Sequence, residues 1–153
     1  MVEQTTIRRA RTVDAEEIGD LYVASRAAAL AFLEEVHGPA ETKAWIRDAL
    51  LPLGTSWTAY RGDVLCGLMT LNGEHIEQLY LRPDRRREGI GSALMAHAKT
   101  QSPHRLELYC FQENHAARAF YEAHGFAPIA FGDGTTNEEG APDVLYEWTL
   151  GRC

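Results

Sequence analysis

Leu79-Tyr80-Leu81-Arg82-Pro83-Asp84-Arg85-Arg86-Arg87-Glu88-Gly89-Ile90-Gly91-Ser92-Ala93-Leu94 is the stretch that decides the fold. A strand pattern runs into it from His75, and a helical pattern of apolar positions leaves it after Gly89. The first N–H groups of a helix have no partner inside the helix and carry a partial positive charge. Gly89 and Gly91 lack a Cβ atom, so we expect the backbone there to approach a ligand closely. A strand, a loop with arginines and a helix in this order therefore predict a site for phosphate or pyrophosphate.

Other nucleotide-binding loops fit this stretch less well. The dinucleotide-binding fingerprint requires a third glycine, and Ala93 or Leu94 stands near that position. It also requires an acidic residue about 20 residues further on, and Glu107 lies near that distance but inside an alternating strand pattern. A P-loop is excluded because no glycine-lysine pair follows.

Two motifs occur in a fixed order with a strand pattern between them. The first is Arg86-x-x-Gly89-x-Gly91, preceded by Leu81-x-Pro83. The second is Asn114-x-x-Ala117-x-x-Phe120-Tyr121-x-x-x-Gly125-Phe126. Together they resemble the signature of the GNAT acetyltransferases, whose acetyl-CoA loop reads Q/R-x-x-G-x-G/A. Arg87 stands where the family very often has glycine, so it either shifts the loop or adds a phosphate contact.

The resemblance covers most of the chain and implies the GNAT fold, which belongs to the α/β (α+β) class. We expect a mixed central sheet of about six to seven strands flanked by about four helices. The alternation of strands and helices in the second half of the chain agrees with a mixed sheet covered on both faces. At 153 residues, the chain is expected to form a single N-acetyltransferase domain over residues 1–153.

Composition excludes several functional classes. The net charge of -7 argues against nucleic acid as a partner. Cys66, Cys110 and Cys153 are not in C-x-x-C spacing, so zinc and thioredoxin-like sites are not expected, and we predict no metal site. No apolar run reaches the roughly 18 residues that a membrane span needs, and the N-terminus lacks signal-peptide features. We therefore expect a cytoplasmic protein with no membrane partner.

The resemblance names acetyl-CoA as the co-substrate and assigns residues to it. The strand segment Leu79, Tyr80 and Leu81 would pair with the pantetheine arm, and one of its backbone N–H groups would bind the thioester carbonyl. The strand is expected to bulge there, so the alternation of side chains is not reliable across Leu79. The remaining coenzyme-binding residues that the family implies are Arg86, Arg87, Glu88, Gly89, Ile90, Gly91, Ser92, Asn114 and Tyr121.

Catalysis requires a proton for the leaving thiolate and the removal of a proton from the attacking amine. Tyr121 falls at the position of the family's tyrosine general acid, although a packed aromatic residue on a helix face is the alternative. Glu77 and His75 are the candidate bases, since they lie two apart on one strand. An amine that arrives already neutral would need neither of them. Asn114 is also a candidate helix N-cap.

The acceptor is not named by the sequence, and we expect either a small-molecule or a protein amine. An acidic loop, formed by Asp133, Asn137-Glu138-Glu139 and Asp143, would recognise a cationic acceptor or would simply be a solvated turn. Two other functions stay open at this point. One is a non-catalytic acyl-CoA-binding or sensing module, and the other is an enzyme that uses NAD or S-adenosylmethionine. A homodimer is one oligomeric state that the resemblance allows.

Overall fold

A computed structural model describes residues 4–33, 35–85 and 88–151. Within these ranges the chain forms seven strands and four α-helices: β1 (Thr5–Arg9), α1 (Ala15–Ala29), α2 (Pro39–Trp45), β2 (Ser56–Arg61), β3 (Val64–Asn72), β4 (His75–Leu81), α3 (Ile90–Gln101), β5 (Arg105–Phe111), α4 (His115–Ala123), β6 (Ala127–Gly132) and β7 (Asp143–Thr149). The strands form one sheet in the order β1-β2-β3-β4-β5-β7-β6. Only the β4–β5 pair is parallel among these neighbours. The predicted fold class, a mixed sheet flanked by helices, is confirmed.

Helices cover both faces of the sheet, and each face has its own hydrophobic core. On the α3 face, α3 and α4 pack against the sheet, and the fully buried side chains include Met69, Leu94, Leu106, Val144 and Tyr146. On the α1 face, α1 and the segment that follows α2 cover β2, β3 and β4, and the most buried side chains include Ile18, Ile46, Leu65 and Leu68. β2, β3 and β4 thus send side chains into both cores, as the two faces of a strand allow.

The pairing between β4 and β5 stops almost as soon as it starts. Within the described residues, their register contains the single pair His75 and Glu107. The β3–β4 register shifts by one residue between the pairs Thr70–Gln78 and Leu71–Ile76, which leaves Glu77 as an extra residue in β4. This is a β-bulge, and bulges bend a strand and end its regular pairing. The two strands therefore diverge and leave a cleft between them.

Two local patterns at α1 predict more than the structure shows. In the sequence one helical stripe of mostly apolar positions runs from Ile18 to Val36, which predicts a helix that continues to Val36, but α1 ends at Ala29, where Leu30 leaves helical geometry with φ -120° and ψ 38°. Phe32 and Val36 are consequently 41% and 50% exposed. At the other end, Asp14 followed by Glu17 resembles a capping box, which predicts that the Asp14 side chain caps the helix. Its carboxylate instead accepts hydrogen bonds from Arg11 and makes no cap hydrogen bond.

Within the described ranges, every helix is too short or too polar to cross a lipid bilayer. No three His, Cys, Asp or Glu side chains of that part of the chain are grouped so that they could hold a metal ion.

We predict that Gly67→Val destabilises the protein by about 1–3 kcal/mol, because it overpacks the core between β3 and α3. A Cβ atom at Gly67 would lie 2.8 Å from Leu94 Cδ1 and 3.2 Å from Leu81 Cδ2. Chemical denaturation measures the change. Gly38→Val is the control, since a Cβ atom there meets nothing within 4 Å. Equal stability of the two variants would contradict this account of the α3 packing.

Candidate active site

The cleft between β4 and β5 holds a cavity of about 100 Å³. Five residues that the sequence singled out line it: Glu77, Leu79, Tyr80, Asn114 and Tyr121. They come from β4 and from the start and the last turn of α4. The cleft thus brings one candidate base, the candidate acid and part of the expected coenzyme strand to one place.

The edge of β4 that faces this cleft carries free backbone groups. The Arg82 N–H donates to the Cys66 carbonyl at 2.8 Å, so the backbone groups of alternate residues back from Arg82 face β3. It follows that the N–H and C=O groups of Leu79 and Leu81 face the cleft, where β5 has moved away. An extended chain with amide groups fits such an edge, because it can pair with the strand as another strand would.

Tyr121 is buried at the back of the cleft. Its ring packs among Phe120, Phe126 and Tyr146, with centroid separations of 5.5, 5.9 and 6.0 Å. Burial raises the pKa of Tyr121 well above its ordinary range, and nearby Cys110 and Tyr80 act in the same direction. Among the described residues no hydrogen-bond partner of its hydroxyl is found. The phenol is therefore a neutral donor next to an open cavity.

Asn114 is the N-cap of α4, as one of the two sequence interpretations held. Its Oδ1 accepts a hydrogen bond from the Ala117 N–H at 3.2 Å. A cap of this kind satisfies one of the free N–H groups of the first turn. Through this cap Asn114 fixes the start of the helix that carries Tyr121, and it also lines the cleft.

The glycine loop divides into residues with different roles. Gly89 is the N-cap of α3 with φ +81°, a conformation that favours glycine, and no side chain of the described residues caps the helix. Gly91 was expected to allow close approach of a ligand, but it is buried, and a Cβ atom there would lie 3.0 Å from Phe120 and 3.2 Å from Leu81. Its lack of a side chain makes room for α4 and β4. Ile90 is likewise buried in the α3-face core.

The polar residues around this loop are largely engaged with one another. The Ser92 hydroxyl lies 3.0 Å from His124 Nε2. Because His124 Nδ1 must donate to the Phe120 carbonyl, Nε2 accepts from Ser92. Glu88 forms an ion pair with Arg85 at 3.6 Å. The predicted phosphate ligands Arg86 and Arg87 lie outside the described residues.

His75 and Glu77 have separate surroundings. His75 Nδ1 lies 3.3 Å from Oε1 of Glu107. The other carboxylate oxygen of Glu107, Oε2, pairs with Arg105 Nη2 at 2.6 Å. Arg105, with a smaller effect from His75, holds the pKa of Glu107 below its ordinary value. Glu77 accepts a hydrogen bond from Asn72 Nδ2 at 3.1 Å and lines the cleft, which His75 does not. Of the two candidate bases, only Glu77 lines the cavity with Tyr121.

A second cavity of about 410 Å³ adjoins the first. The two cavities share Tyr109, Cys110 and Phe111 in their walls. The other wall of the second cavity is formed by residues of the acidic loop: Thr136, Asn137, Glu139 and Asp143. Burial raises the pKa of the Cys110 thiol to about 11 against a smaller opposing effect of Arg118, so the thiol stays protonated near neutral pH.

The acidic loop is docked against the first half of the chain. Glu139 lies 3.6 Å from Arg26 Nη2, and Glu138 lies 3.2 Å from His37 Nε2. Arg26 also donates to the Tyr80 hydroxyl at 3.0 Å. Arg26 carries no signal of this role in the sequence, since nothing in the local pattern separates it from other helical arginines. The alternative of a simple solvated turn therefore does not hold for Glu139, whose side chain is only 14% exposed, whereas Glu138 stays exposed to solvent.

Comparisons with known proteins point to one family. The Acetyltransferase (GNAT) family model matches residues 21–126. The chain is similar to the peptidyl-lysine N-acetyltransferase YjaB of Salmonella typhimurium, with 35% identity over 121 residues that cover 78% of this chain and 81% of YjaB. For YjaB of Escherichia coli the identity is 32% over 125 residues, which cover 79% and 81% of the two chains.

Solved structures agree with this. The solution structure of apo YjaB from Escherichia coli matches with a TM-score of 0.75 and 28% identity, and the match covers 95% of this chain and 97% of that one. The PaiA N-acetyltransferase of Thermoplasma acidophilum in complex with coenzyme A has the same fold, with a TM-score of 0.72, 19% identity and coverage of 96% and 99%. Because the family model spans the β4–β5 cleft and both flanking helices, the chain belongs to the GNAT family and is an acetyl-CoA-dependent N-acetyltransferase.

Proposed function

We propose that the chain transfers the acetyl group of acetyl-CoA to the ε-amine of lysine side chains in proteins or peptides, and that the reaction takes place in the β4–β5 cleft. The observation that carries this proposal is that Tyr121 and Glu77 line one cavity where β4 loses its pairing to β5. The relatives that share more than 30% identity over most of their length are named peptidyl-lysine N-acetyltransferases, which supports lysine as the acceptor.

The coenzyme would run along the free edge of β4. The backbone groups of Leu79 and Leu81 would pair with the pantetheine amides, and one of the two N–H groups would donate to the thioester oxygen. Such a donor stabilises the negative charge that develops on this oxygen during attack. The pyrophosphate would then lie at the N-terminus of α3, where Gly89 starts the helix without a side-chain cap. From the thioester to the pyrophosphate, the coenzyme would thus follow the direction in which the protein chain runs from β4 to α3.

Tyr121 would serve as the acid. As the amine nitrogen attacks the carbonyl carbon, the carbon–sulfur bond breaks and the sulfur takes the electron pair. The buried phenol is neutral and has no hydrogen-bond partner among the described residues, so its proton is free for the sulfur. The proton that the amine loses on acylation would restore the phenol through solvent.

Glu77 would serve as the base, acting through water. A lysine ammonium has a pKa of about 10.4, so near neutral pH it must lose a proton before it attacks. The Asn72 amide orients the Glu77 carboxylate from outside the cleft. His75 is held by Glu107 instead, and we place it outside the reaction.

The acceptor would enter through the second cavity. Tyr109 and Phe111 in its wall offer apolar surface to the methylene groups of a lysine side chain. Asp143 is only 9% exposed, and its side chain accepts a hydrogen bond from Asn137 and pairs with no cation of the described residues. A buried carboxylate without a cation is stabilised by a bound ammonium group. The net charge of -7 favours the approach of a basic peptide.

Three further expectations of the family resemblance stay predictions of the proposed function. They are a cytoplasmic location, a homodimer, and a single domain over residues 1–153.

Tyr121→Phe should lower kcat for acetylation of a lysine peptide by about a hundredfold or more, because it removes the proton donor to the sulfur. The affinity for acetyl-CoA, measured by calorimetry, should stay within a few-fold of wild type, since the ring is retained. Release of coenzyme A thiol gives kcat. An unchanged kcat would remove Tyr121 from the role of acid, and no transfer to lysine peptides by the wild type would refute the proposed acceptor.

Glu77→Gln should lower kcat/KM by about tenfold or more at neutral pH, because it removes the proposed proton acceptor. His75→Gln is the matched control and should keep the wild-type rate, because His75 does not line the cavity. The measurement is the initial rate at subsaturating acceptor. The reverse result, with His75→Gln alone impaired, would transfer the role of base to His75.

Asp143→Asn should raise the KM for a lysine peptide by about tenfold, since it removes the charge that faces the ammonium group. The KM for acetyl-CoA should not change. Asp133→Asn is the control, because Asp133 lies in the same loop but hydrogen-bonds Thr135 and does not line the cavity. An equal effect of both substitutions would mean that the charge of the whole loop matters and that Asp143 has no specific contact.

A further inference from the structure

Arg61 is the last residue of β2 and lies on the α3 face of the sheet. Trp57 and Ala59, at alternate positions before it, belong to the α3-face core, and the Trp57 ring lies 4.3 Å from His97 of α3. Arg61 continues this row. Its Nη1 donates to the Glu88 carbonyl oxygen at 2.9 Å, so the side chain reaches the loop that leads into α3.

This hydrogen bond fixes the direction of one peptide group. In a trans peptide the carbonyl oxygen and the following N–H point in opposite directions. The Glu88 carbonyl points to Arg61, so the Gly89 N–H points away from it. A rotated peptide group would instead aim a carbonyl oxygen, with its partial negative charge, at an anion bound in front of α3.

The charge of Arg61 is not neutralised by a nearby carboxylate. No ion pair of Arg61 with an acidic side chain is found among the described residues, although Arg82 and Arg85 both have one. Its Nε is buried and, within the same residues, has no hydrogen-bond partner. A partly desolvated guanidinium without a counter-charge attracts a nearby anion more strongly than an exposed, paired one.

We propose that Arg61 is a positioning residue for the loop that starts α3, residues 88–91, where the proposed function puts the coenzyme phosphates. It holds the Glu88 carbonyl so that the loop amides face the pyrophosphate of acetyl-CoA, and its charge adds to the attraction from behind the loop. The inference rests on the proposed function, which puts the pyrophosphate at the N-terminus of α3.

The test compares two acetyl donors. Acetyl-CoA carries the pyrophosphate and the nucleotide, and S-acetylpantetheine lacks both. Arg61→Met should raise the KM for acetyl-CoA about tenfold while kcat stays near wild type, and kcat/KM for S-acetylpantetheine should not change. Arg61→Lys keeps the charge but loses the planar fork of the guanidinium. Its KM for acetyl-CoA should therefore lie between that of the wild type and that of Arg61→Met. Arg8→Met, an exposed arginine that stacks on Tyr60 of the same hairpin region, is the control and should match wild type.

Three results would overturn the inference. Equal losses with both donors in Arg61→Met, or a lowered melting temperature with an unchanged KM for acetyl-CoA, would mean that Arg61 only supports the fold. If the wild type itself used both donors with the same KM, the pyrophosphate would not lie at α3. That outcome would remove the loop from the proposed function and the role of Arg61 with it.

Discussion

The structure depends on the interruption of hydrogen bonding between β4 and β5. The two strands are joined at His75 and Glu107, where the Glu107 N–H also donates to the Glu74 carbonyl at 2.8 Å. Beyond this point the extra residue Glu77 bends β4 away from its neighbour. Unpaired backbone groups inside a sheet are costly unless something else satisfies them. In an acetyltransferase the substrate can do so, and the proposed function puts the thioester at this defect in the sheet.

Much of this could be predicted because it is local in sequence. A glycine with positive φ at the start of α3 and the N-cap Asn114 leave signals within a few residues of themselves, and the order of the elements followed from periodicity. The bulge was expected across Leu79 but lies at Glu77, because its position is set by the register with β3. The packing at Gly91 could not be predicted for a similar reason: Phe120, which occupies the space beside it, is distant in the chain.

The acidic loop was also beyond local reasoning, since its partners come from the other end of the sequence. Arg26 of α1 contacts both Glu139 of this loop and the Tyr80 hydroxyl on β4. Tyr80 lies between the two residues whose backbone groups face the cleft. One half-buried cation thus connects the wall of the second cavity to the strand beside the first. A chain of packed, paired groups of this kind can transmit a shift from one site to the other only if it has two arrangements, and the structure shows one.

The burial of Tyr121 limits how it can act. Its pKa is raised because the phenolate would lose hydration, so the phenol is a weaker acid than in water. An ordinary thiol has a pKa of about 8.5, and complete transfer of a proton from this phenol to a finished thiolate would therefore be uphill. Donation becomes favourable when a proton from the attacking amine replaces the one that is given up. The proposed acid and base would then have to work in one cavity within the lifetime of one intermediate, and Tyr121 and Glu77 both line the cavity of the cleft.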